Sequence, residues 1–174
     1  MTTETRSRVR RCVYQNPGIH FNELRRTVGI ATGQAQHHLG RLGRDGRVER
    51  EEVCGRTHFY PPTYSAWERG AIALLRRETS REIVAYLLRN DETHPTRLAD
   101  RLDLARSTVE WHLSNLVEYG IVEKRTVETD GVERTVVSLS EPEDLYRLLR
   151  EIEPRFTDRL VDRFTRLADE LLGE

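Results

Sequence analysis

The sequence predicts a mainly α-helical protein with small β hairpins, an α+β fold, and three observations support this prediction. First, residues 31–45 carry apolar side chains at helical spacing. Second, Gly46 can end that helix in a left-handed conformation, and a hairpin of two short strand-like segments follows within residues 48–60. Third, the same order of elements returns 74 residues further along the chain.

An internal repeat with this offset of 74 residues divides the chain. The matching pairs are Asn16/Asn90, His20/His94, Leu24/Leu98, Ala31/Ala105, His38/His112, Leu39/Leu113, Leu42/Leu116, Gly46/Gly120 and Val48/Val122. A repeated unit of about 60 residues is too long for a solenoid and has the size of a small domain. We therefore expect a first domain at 1–62, a linker helix at 63–78, a second domain at 79–140 and a C-terminal helical region at 141–174.

The composition is that of a protein whose surface is exposed to water. Of the 174 residues, 33% are charged and 37% are hydrophobic, and no apolar run approaches the roughly 18 residues of a spanning helix. The first residues, MTTETRSRVRR, contain no apolar segment of the kind found in secretory signals. We therefore expect a cytoplasmic protein without membrane contact, in which Cys12 and Cys54 are reduced thiols.

Positive charge is concentrated in the first domain. Residues 1–62 carry 11 basic and 6 acidic side chains, whereas residues 79–140 carry 8 basic and 11 acidic ones. A protein that binds phosphate groups needs a local positive field, whatever its total charge. The first domain is therefore the better candidate for nucleic-acid binding.

Three short helices and an extended segment are predicted in the first domain. The first helix ends at about Gln15, before the helix breakers at 16–18, and the extended segment 19–21 can add a third strand to the hairpin. A second helix runs from Asn22, which can cap it, to Val28, and a tight turn separates it from the helix at 31–45. Two short helices joined in this way form a helix-turn-helix, and the hairpin that follows makes it winged.

The second domain repeats this order. We expect Thr79 or Ser80 to cap its first helix, and a second helix at 97–102 to precede a helix at 105–119. A hairpin at 122–139 then turns near Asp130-Gly131, a dipeptide that favours hairpin turns.

The repeated segments resemble the winged helix-turn-helix regulators of the ArsR/MarR-like superfamily, particularly the archaeal ones. The residues that carry the resemblance are Ser107, Thr108, Val109, His112, Leu113, Leu116, Gly120 and Val122, with a looser match from Gln34 to Val48. The resemblance covers both domains and implies two tandem winged helix-turn-helix domains, with double-stranded DNA as the partner.

The outward face of the helix at 31–45 supplies the candidate DNA contacts, because its amide, imidazole and guanidinium groups can donate to base edges and phosphates. The candidates are Thr32, Gly33, Gln34, Gln36, His37, Arg41 and Arg44 on the helix, with Arg56 and His58 on the hairpin. Gln36 and Arg41 are best suited to bidentate base contacts, and Arg44 and Arg56 to phosphate.

The corresponding candidates of the second domain are Arg106, Ser107, Trp111 and Asn115. Glu110 and Trp111 stand there in place of Gln36 and His37, and the hairpin tip is acidic. Carboxylates near phosphates oppose binding. We therefore expect the second domain to be mainly structural, or to contact a partner or the DNA flank.

The C-terminal region carries an apolar stripe. A helix capped by Ser140 is expected to run to about Ile152, and the stripe on the next helix consists of Phe156, Leu160, Phe164, Leu167 and Leu171. This spacing is close to a heptad seam and predicts a homodimer. The alternative is that the stripe packs back on the linker helix of the same chain.

Other kinds of site find less support. His37, His38, Cys54 and His58 could be considered as metal ligands, but no tight ligand spacing is present, so no metal or other cofactor is expected. Cys54 could act as a redox switch, yet the sequence shows no neighbouring cysteine to resolve it. The absence of a nucleophile elbow, a phosphate loop and a glycine-rich fingerprint indicates that the protein is not an enzyme.

Three functions remain open. The first is a dimeric, sequence-specific transcription regulator, whose effector ligand the sequence does not identify. The second is a sequence-tolerant, chromatin-type protein that coats DNA through the same basic face. The third is a protein-interaction module built from winged helices.

Overall fold

The structure, a computed structural model, describes residues 2–152 and divides into two compact units at Ala73/Leu74. The elements of the first unit are α1 (Thr2–Gln15), β1 (Ile19–His20), α2 (Phe21–Val28), α3 (Thr32–Arg44), β2 (Glu49–Val53) and β3 (Arg56–Tyr60). The boundary falls inside α4 (Ala66–Leu75). The elements of the second unit are α5 (Glu78–Asn90), β4 (Glu92–Thr93), α6 (Pro95–Leu102), α7 (Arg106–Glu118), β5 (Val122–Thr129), β6 (Val132–Leu139) and α8 (Pro142–Ile152).

The first unit packs α1, α2 and α3 against one another and beside a small antiparallel sheet with strand order β1-β3-β2. Its core contains Val9, Cys12, Val13, Ile19, Leu24, Val28, Leu39, Leu42, Val48 and Phe59. The three helices, β1 and β3 all contribute apolar side chains to this core, and Val48 joins it just before β2, so burial fixes the angles between the short helices. The extended segment pairs with β3 as a third strand, as the sequence predicts.

Left-handed residues end the elements of the first unit. Gly29 follows α2 with φ 71° and donates its backbone N–H to the Arg25 carbonyl, and Gly46 (φ 62°) follows α3. In the hairpin, Cys54 (φ 49°) and Gly55 (φ 72°) form a two-residue turn whose positive φ values suit the twist of the strands.

The start of α2 differs from the prediction. His20, and not Asn22, is the N-cap, and its Nδ1 accepts a hydrogen bond from the Glu23 backbone N–H at 3.3 Å. His20 can do this because its pairing in β1 holds it in the extended conformation that an N-cap requires.

The start of α4 is closed by a capping box. Ser65 Oγ accepts from the Glu68 backbone N–H at 3.2 Å, and Glu68 Oε2 accepts from the Ser65 backbone N–H at 2.8 Å. The Tyr60 hydroxyl donates to the Arg69 carbonyl at 2.8 Å and so ties the end of β3 to the first turns of α4. The predicted linker helix is therefore present, but it is shorter than the segment 63–78.

The second unit repeats the first with a longer hairpin. Its sheet has the order β4-β6-β5, and the two hairpin strands pair over eight residues each. Asp130 (φ 55°) and Gly131 (φ 75°) form the turn, as the sequence predicts. The mainly α-helical fold with two hairpin-bearing units is therefore confirmed.

Ser80 does not cap the first helix of the second unit. The helix α5 begins at Glu78, and Ser80 lies fully buried one turn inside it. Its Oγ is 2.9 Å from Nδ1 of His112, so the hydroxyl serves a side-chain contact and not the helix end. The alternative cap, Thr79, also lies inside the helix.

The C-terminal helix α8 begins after Ser140 and ends at Ile152, with Leu145, Leu148 and Leu149 buried. The apolar stripe predicted to form a dimer, from Phe156 to Leu171, lies outside the described residues. Within residues 2–152, no helix is long and apolar enough to cross a membrane.

Candidate nucleic-acid interface

The helix α3 has one buried face and one exposed face. Ala35, His38, Leu39 and Leu42 are each at most 6% exposed, and they hold the helix against the core of the first unit. The remaining residues of α3 are exposed. The exposed set consists of Thr32, Gly33, Gln34, Gln36, His37, Gly40, Arg41, Gly43 and Arg44. All seven residues predicted as DNA contacts on this helix are therefore accessible to a ligand.

Arginine side chains give this face its charge. Arg44 Nε donates to the Gly40 carbonyl at 3.2 Å, which orients the guanidinium along the helix. In the described part of the chain, no carboxylate lies within ion-pair distance of Arg41, Arg44 or Arg56. Their charge is therefore available to an anionic ligand.

Gln34 has a role in α3 itself. Its Oε1 accepts a hydrogen bond from the Ala31 backbone N–H at 3.2 Å, which satisfies a donor at the start of the helix. Alanine at this N-cap offers no side-chain acceptor for the N–H groups of the first turn, so only the Gln34 half of a capping box is present.

Glycines open the exposed face. A Cβ added at Gly33 or Gly40 would meet nothing within 4 Å, and one at Gly43 would lie 3.8 Å from the Val48 carbonyl oxygen. Neither the packing of the unit nor a positive φ requires glycine at Gly33 and Gly40. These positions let another molecule approach the helix backbone closely.

A groove of about 460 Å³ lies between α3 and the hairpin of the first unit. Its floor is apolar and its polar lining comes from α3 and the strands. The polar side chains that line it are Gln36, Arg44, Arg50 and Thr57. Arg50 is missing from the sequence-based candidates because glutamates flank it in β2, and only the paired hairpin shows that its side chain reaches the groove.

The prediction that His58 contacts DNA is wrong. His58 is only 4% exposed, and its Nδ1 lies 2.7 Å from the carbonyl oxygen of Gly18. The cause is the third strand, because β1 pairs with β3 and places His20 opposite His58. Arg56, at the start of β3 beside the turn, is exposed as expected.

A buried histidine underlies the exposed face of α3. Burial lowers the pKa of His38 below its usual value of 6.5, and the nearby charges of His37, Arg6 and Arg41 lower this pKa further. The ring of His37 meets the His38 ring edge-on, with 5.3 Å between the ring centroids. His38 is therefore a neutral core residue near neutral pH.

In the second unit, α7 occupies the position of α3 but presents a different surface. Arg106 and Ser107 are exposed, and Trp111 is 48% exposed with the Arg77 guanidinium 5.2 Å from its ring centroid. Asn115 is half-buried, and its Nδ2 donates to the Trp111 carbonyl at 2.7 Å. This amide is therefore partly engaged within its own helix.

Two ion pairs neutralise cations of the second hairpin. Lys124 Nζ is 2.6 Å from Glu110 Oε2, and an Arg125 guanidinium nitrogen is 2.6 Å from Glu92 Oε2. The first of these pairs joins the hairpin to the exposed face of α7. The positive charge that marks the first unit is therefore weaker here.

The histidines and cysteines considered as metal ligands do not form a cluster. Among the residues that the structure describes, no group of three or more His, Cys, Asp or Glu side chains is arranged to hold a metal ion. Cys12 is buried and Cys54 is partly exposed, and neither of them forms a disulfide bond.

Known families match both units. Residues 3–72 match a family model described as an N-terminal HTH domain, where HTH denotes helix-turn-helix. Residues 76–123 match a model described as winged helix-turn-helix DNA-binding. The two helix-turn-helix domains that the sequence predicts are therefore confirmed, and neither family description is that of an enzyme.

One curated relative is an uncharacterized HTH-type transcriptional regulator of Methanocaldococcus jannaschii. The two proteins are 26% identical over 125 residues, which is 72% of this chain and 32% of the relative. The chain thus spans about a third of the length of the relative that it matches.

Two solved structures match part of the chain. A transcriptional regulator homologue from Pyrococcus horikoshii is 24% identical, with a TM-score of 0.43, over 47% of this chain and 82% of the other. A MarR family regulator from Neisseria meningitidis is 20% identical, with a TM-score of 0.38, over 56% of this chain and 72% of the other.

Proposed function

We propose that this chain, built from two helix-turn-helix domains, is a transcription regulator that binds duplex DNA through its first domain. The observation that carries the proposal is the exposed face of α3, where hydrogen-bond donors and arginines without carboxylate partners stand beside open glycine positions. A basic groove follows on one side of this face.

The dimensions of α3 suit the major groove of DNA. Thirteen helical residues extend about 20 Å, and the major groove is about 12 Å wide, which admits one helix. Arg41 can donate two hydrogen bonds to guanine and Gln36 can pair in the same manner with adenine. Thr32, Gly33 and His37 lie on the same exposed face, whereas Arg44, Arg50 and Arg56 are placed to contact phosphates.

The second domain has a supporting role in this proposal. Glu110 occupies the exposed face of α7 and takes the charge of Lys124. Trp111, with its Arg77 neighbour, offers an apolar surface that suits a protein partner or the flank of a DNA site better than base edges.

We further propose that the chain acts as a homodimer. A helix-turn-helix dimer reads two half-sites about one helical turn apart, which raises both affinity and specificity. The apolar residues Phe156, Leu160, Phe164, Leu167 and Leu171 are the candidates for the contact between the two copies.

Selection from a pool of randomised duplexes tests the proposed function. Enrichment of a pseudo-palindromic sequence would support a dimeric, sequence-specific regulator. Binding without enrichment would instead favour the sequence-tolerant DNA-coating function. An intact chain that binds no duplex, even at low salt, would contradict the proposal and leave the protein-interaction module.

A further inference from the structure

A second depression of the first unit lies between the start of α2 and the turn of the hairpin. It encloses about 660 Å³, and we call it the arginine cleft. Its polar lining comes from His20, Asn22, Arg25, Arg26, Arg56 and Thr57. Three guanidinium groups therefore converge on one cleft, and no acidic side chain belongs to its lining.

The arginine cleft adjoins the groove beside α3. Phe21 and Thr57 line both depressions, so the two meet beside the turn of the hairpin. A ligand bound in the groove therefore lies next to the cleft.

Hydrogen-bonding capacity in the cleft is incompletely used. Arg25 Nε is shielded from solvent and has no hydrogen-bond acceptor among the residues that the structure describes. Because this atom is closed to solvent, a ligand in the cleft can meet only the terminal nitrogens of the Arg25 guanidinium. Arg26 Nε donates to the Asn22 carbonyl at 3.3 Å, which leaves the terminal nitrogens of its guanidinium for other partners.

Two carboxylates lie near the cleft. Glu23 Oε2 is 3.8 Å from His20 Nε2 at the start of α2, and Glu52 stands opposite Thr57 in the hairpin. Neither glutamate lines the cleft, and two carboxylates do not balance three guanidinium groups. The net charge of the site is therefore positive.

The internal repeat offers a comparison within the same chain. With the offset of 74 residues, Ala99 and Asp100 of α6 stand where α2 has Arg25 and Arg26. Both helices have eight residues and precede an equivalent turn, so the fold itself does not require arginine at these positions. Arg25 and Arg26 therefore have a function that the second domain does not share.

We propose that the arginine cleft is a binding site for phosphate oxyanions. Three convergent guanidinium groups suit the tetrahedral oxygens of phosphate, and arginine forms charge-assisted, often bidentate bonds with them. The phosphate can belong to the DNA backbone, in which case the inference extends the proposed function beyond α3, or to a free phosphate compound.

The test uses the intact chain and a double variant, Arg25→Gln/Arg26→Gln, because the proposed function already assigns Arg56 to a phosphate contact. The control is Arg10→Gln/Arg11→Gln, which removes the same charge from exposed positions of α1 outside both depressions. Thermal melts of both variants establish that each is folded. A third variant, Arg56→Gln, measures the contribution of the hairpin guanidinium separately.

Two measurements distinguish the sources of the phosphate. Duplex DNA is titrated over a series of salt concentrations, where each lost phosphate contact lowers the slope of log K against log salt by about 0.9. Pyrophosphate is titrated calorimetrically without DNA. A smaller slope in the cleft variants alone identifies the DNA backbone, and pyrophosphate binding that these variants abolish identifies a free phosphate compound.

The proposal is overturned if the cleft variants match the control in salt slope and pyrophosphate either does not bind the intact chain or binds the cleft variants equally well. If in that case the duplex is still bound, only the cleft assignment fails and the proposed function stands. If no duplex is bound at all, the pyrophosphate titration alone decides about the cleft.

Discussion

The ammonium group of Lys124 lies 2.6 Å from the carboxylate of Glu110. In the second unit, a positive charge of the hairpin is therefore paired with a negative charge on the exposed face of α7. At the corresponding helix of the first unit, Arg41 has no carboxylate within ion-pair distance among the described residues. Two copies of one fold therefore present surfaces of different charge, and this difference predicts which copy reads DNA.

Replacing Arg41 by alanine is expected to weaken specific DNA binding by about 1–3 kcal/mol and to relax the preference at one base pair. The matched change in the second domain, Asn115→Ala, should have much less effect, because that amide already bonds within its helix. Titration of a selected duplex and of single-base variants measures both effects. Loss of binding in Asn115→Ala alone would place the reading helix in the second domain.

Replacing Gly40 by alanine is expected to change stability and DNA binding in opposite directions. The added methyl group meets open space, and alanine favours a helix over glycine by up to about 1 kcal/mol, so the melting temperature should rise. The same methyl group should weaken DNA binding if the duplex approaches the helix backbone closely. Thermal melts measure the change in melting temperature, and duplex titration of the same preparation measures the change in DNA affinity. An unchanged DNA affinity would argue against a close approach of the duplex at Gly40.

Stability is expected to fall in mild acid because the buried His38 and the half-buried His112 are held as neutral rings. Burial lowers the pKa of His38 and of His112 below 6.5, and Arg77 lowers that of His112 further. The unfolded chain therefore binds protons that the folded chain excludes. The stabilisation is complete above about pH 6.5 and is lost as the pH falls below it, at no more than about 1.4 kcal/mol per pH unit for each histidine.

Urea unfolding between pH 8 and pH 5 measures this dependence. His38→Gln and His112→Gln should each reduce the loss of stability in acid. The same variants at pH 8 provide the control, since both rings are neutral there and only the packing cost of the substitution remains. If both variants and the intact chain lose the same free energy of unfolding between pH 8 and pH 5, the acid sensitivity belongs to other groups.

Ending the chain after Ile152 is expected to convert a dimer into a monomer and to weaken operator binding. This truncation removes the stripe from Phe156 to Leu171 but keeps α8, whose leucines are buried in the described structure. Burial of large apolar side chains stabilises by about 1.5–3 kcal/mol each, so the stripe is sufficient for a dimer contact. Light scattering on both chains measures the change, and an intact chain that is already monomeric at about 10–100 μM, a concentration range that saturates ordinary dimers, would refute the dimer.

The order of elements could be predicted because local signals and the repeat agree. Asp130-Gly131 and Gly46 mark backbone positions with positive φ, and the apolar spacing in α3 and α7 marks their buried faces. Each of these signals lies within a few neighbouring residues. Such features can be read without knowledge of distant contacts.

The errors arise where a distant residue decides the role of a polar side chain. His58 lies two residues after Arg56 in β3 and therefore on the same face of the strand as that exposed arginine, but the distant segment at Gly18 covers it. Ser80 has the chemistry of a helix cap, but the His112 ring, 32 residues away, takes its hydroxyl. The arginine cleft escaped prediction for the same reason, since α2 and the hairpin turn meet only in the folded unit.

The two hairpins differ in reach. Strands of eight residues in β5 and β6 extend about 10 Å further than the five-residue strands β2 and β3, at roughly 3.3 Å per residue. The third strand β4 pairs only with Val137 and Ser138. The outer part of the long hairpin is thus a two-stranded arm with no third strand beneath it, and an isolated pair of strands is marginally stable in water. In the described structure, the outer part of the β5–β6 hairpin is held mainly by the pairing of its own two strands. A bound partner can therefore bend this arm at little energetic cost, while the inner part stays attached to the core.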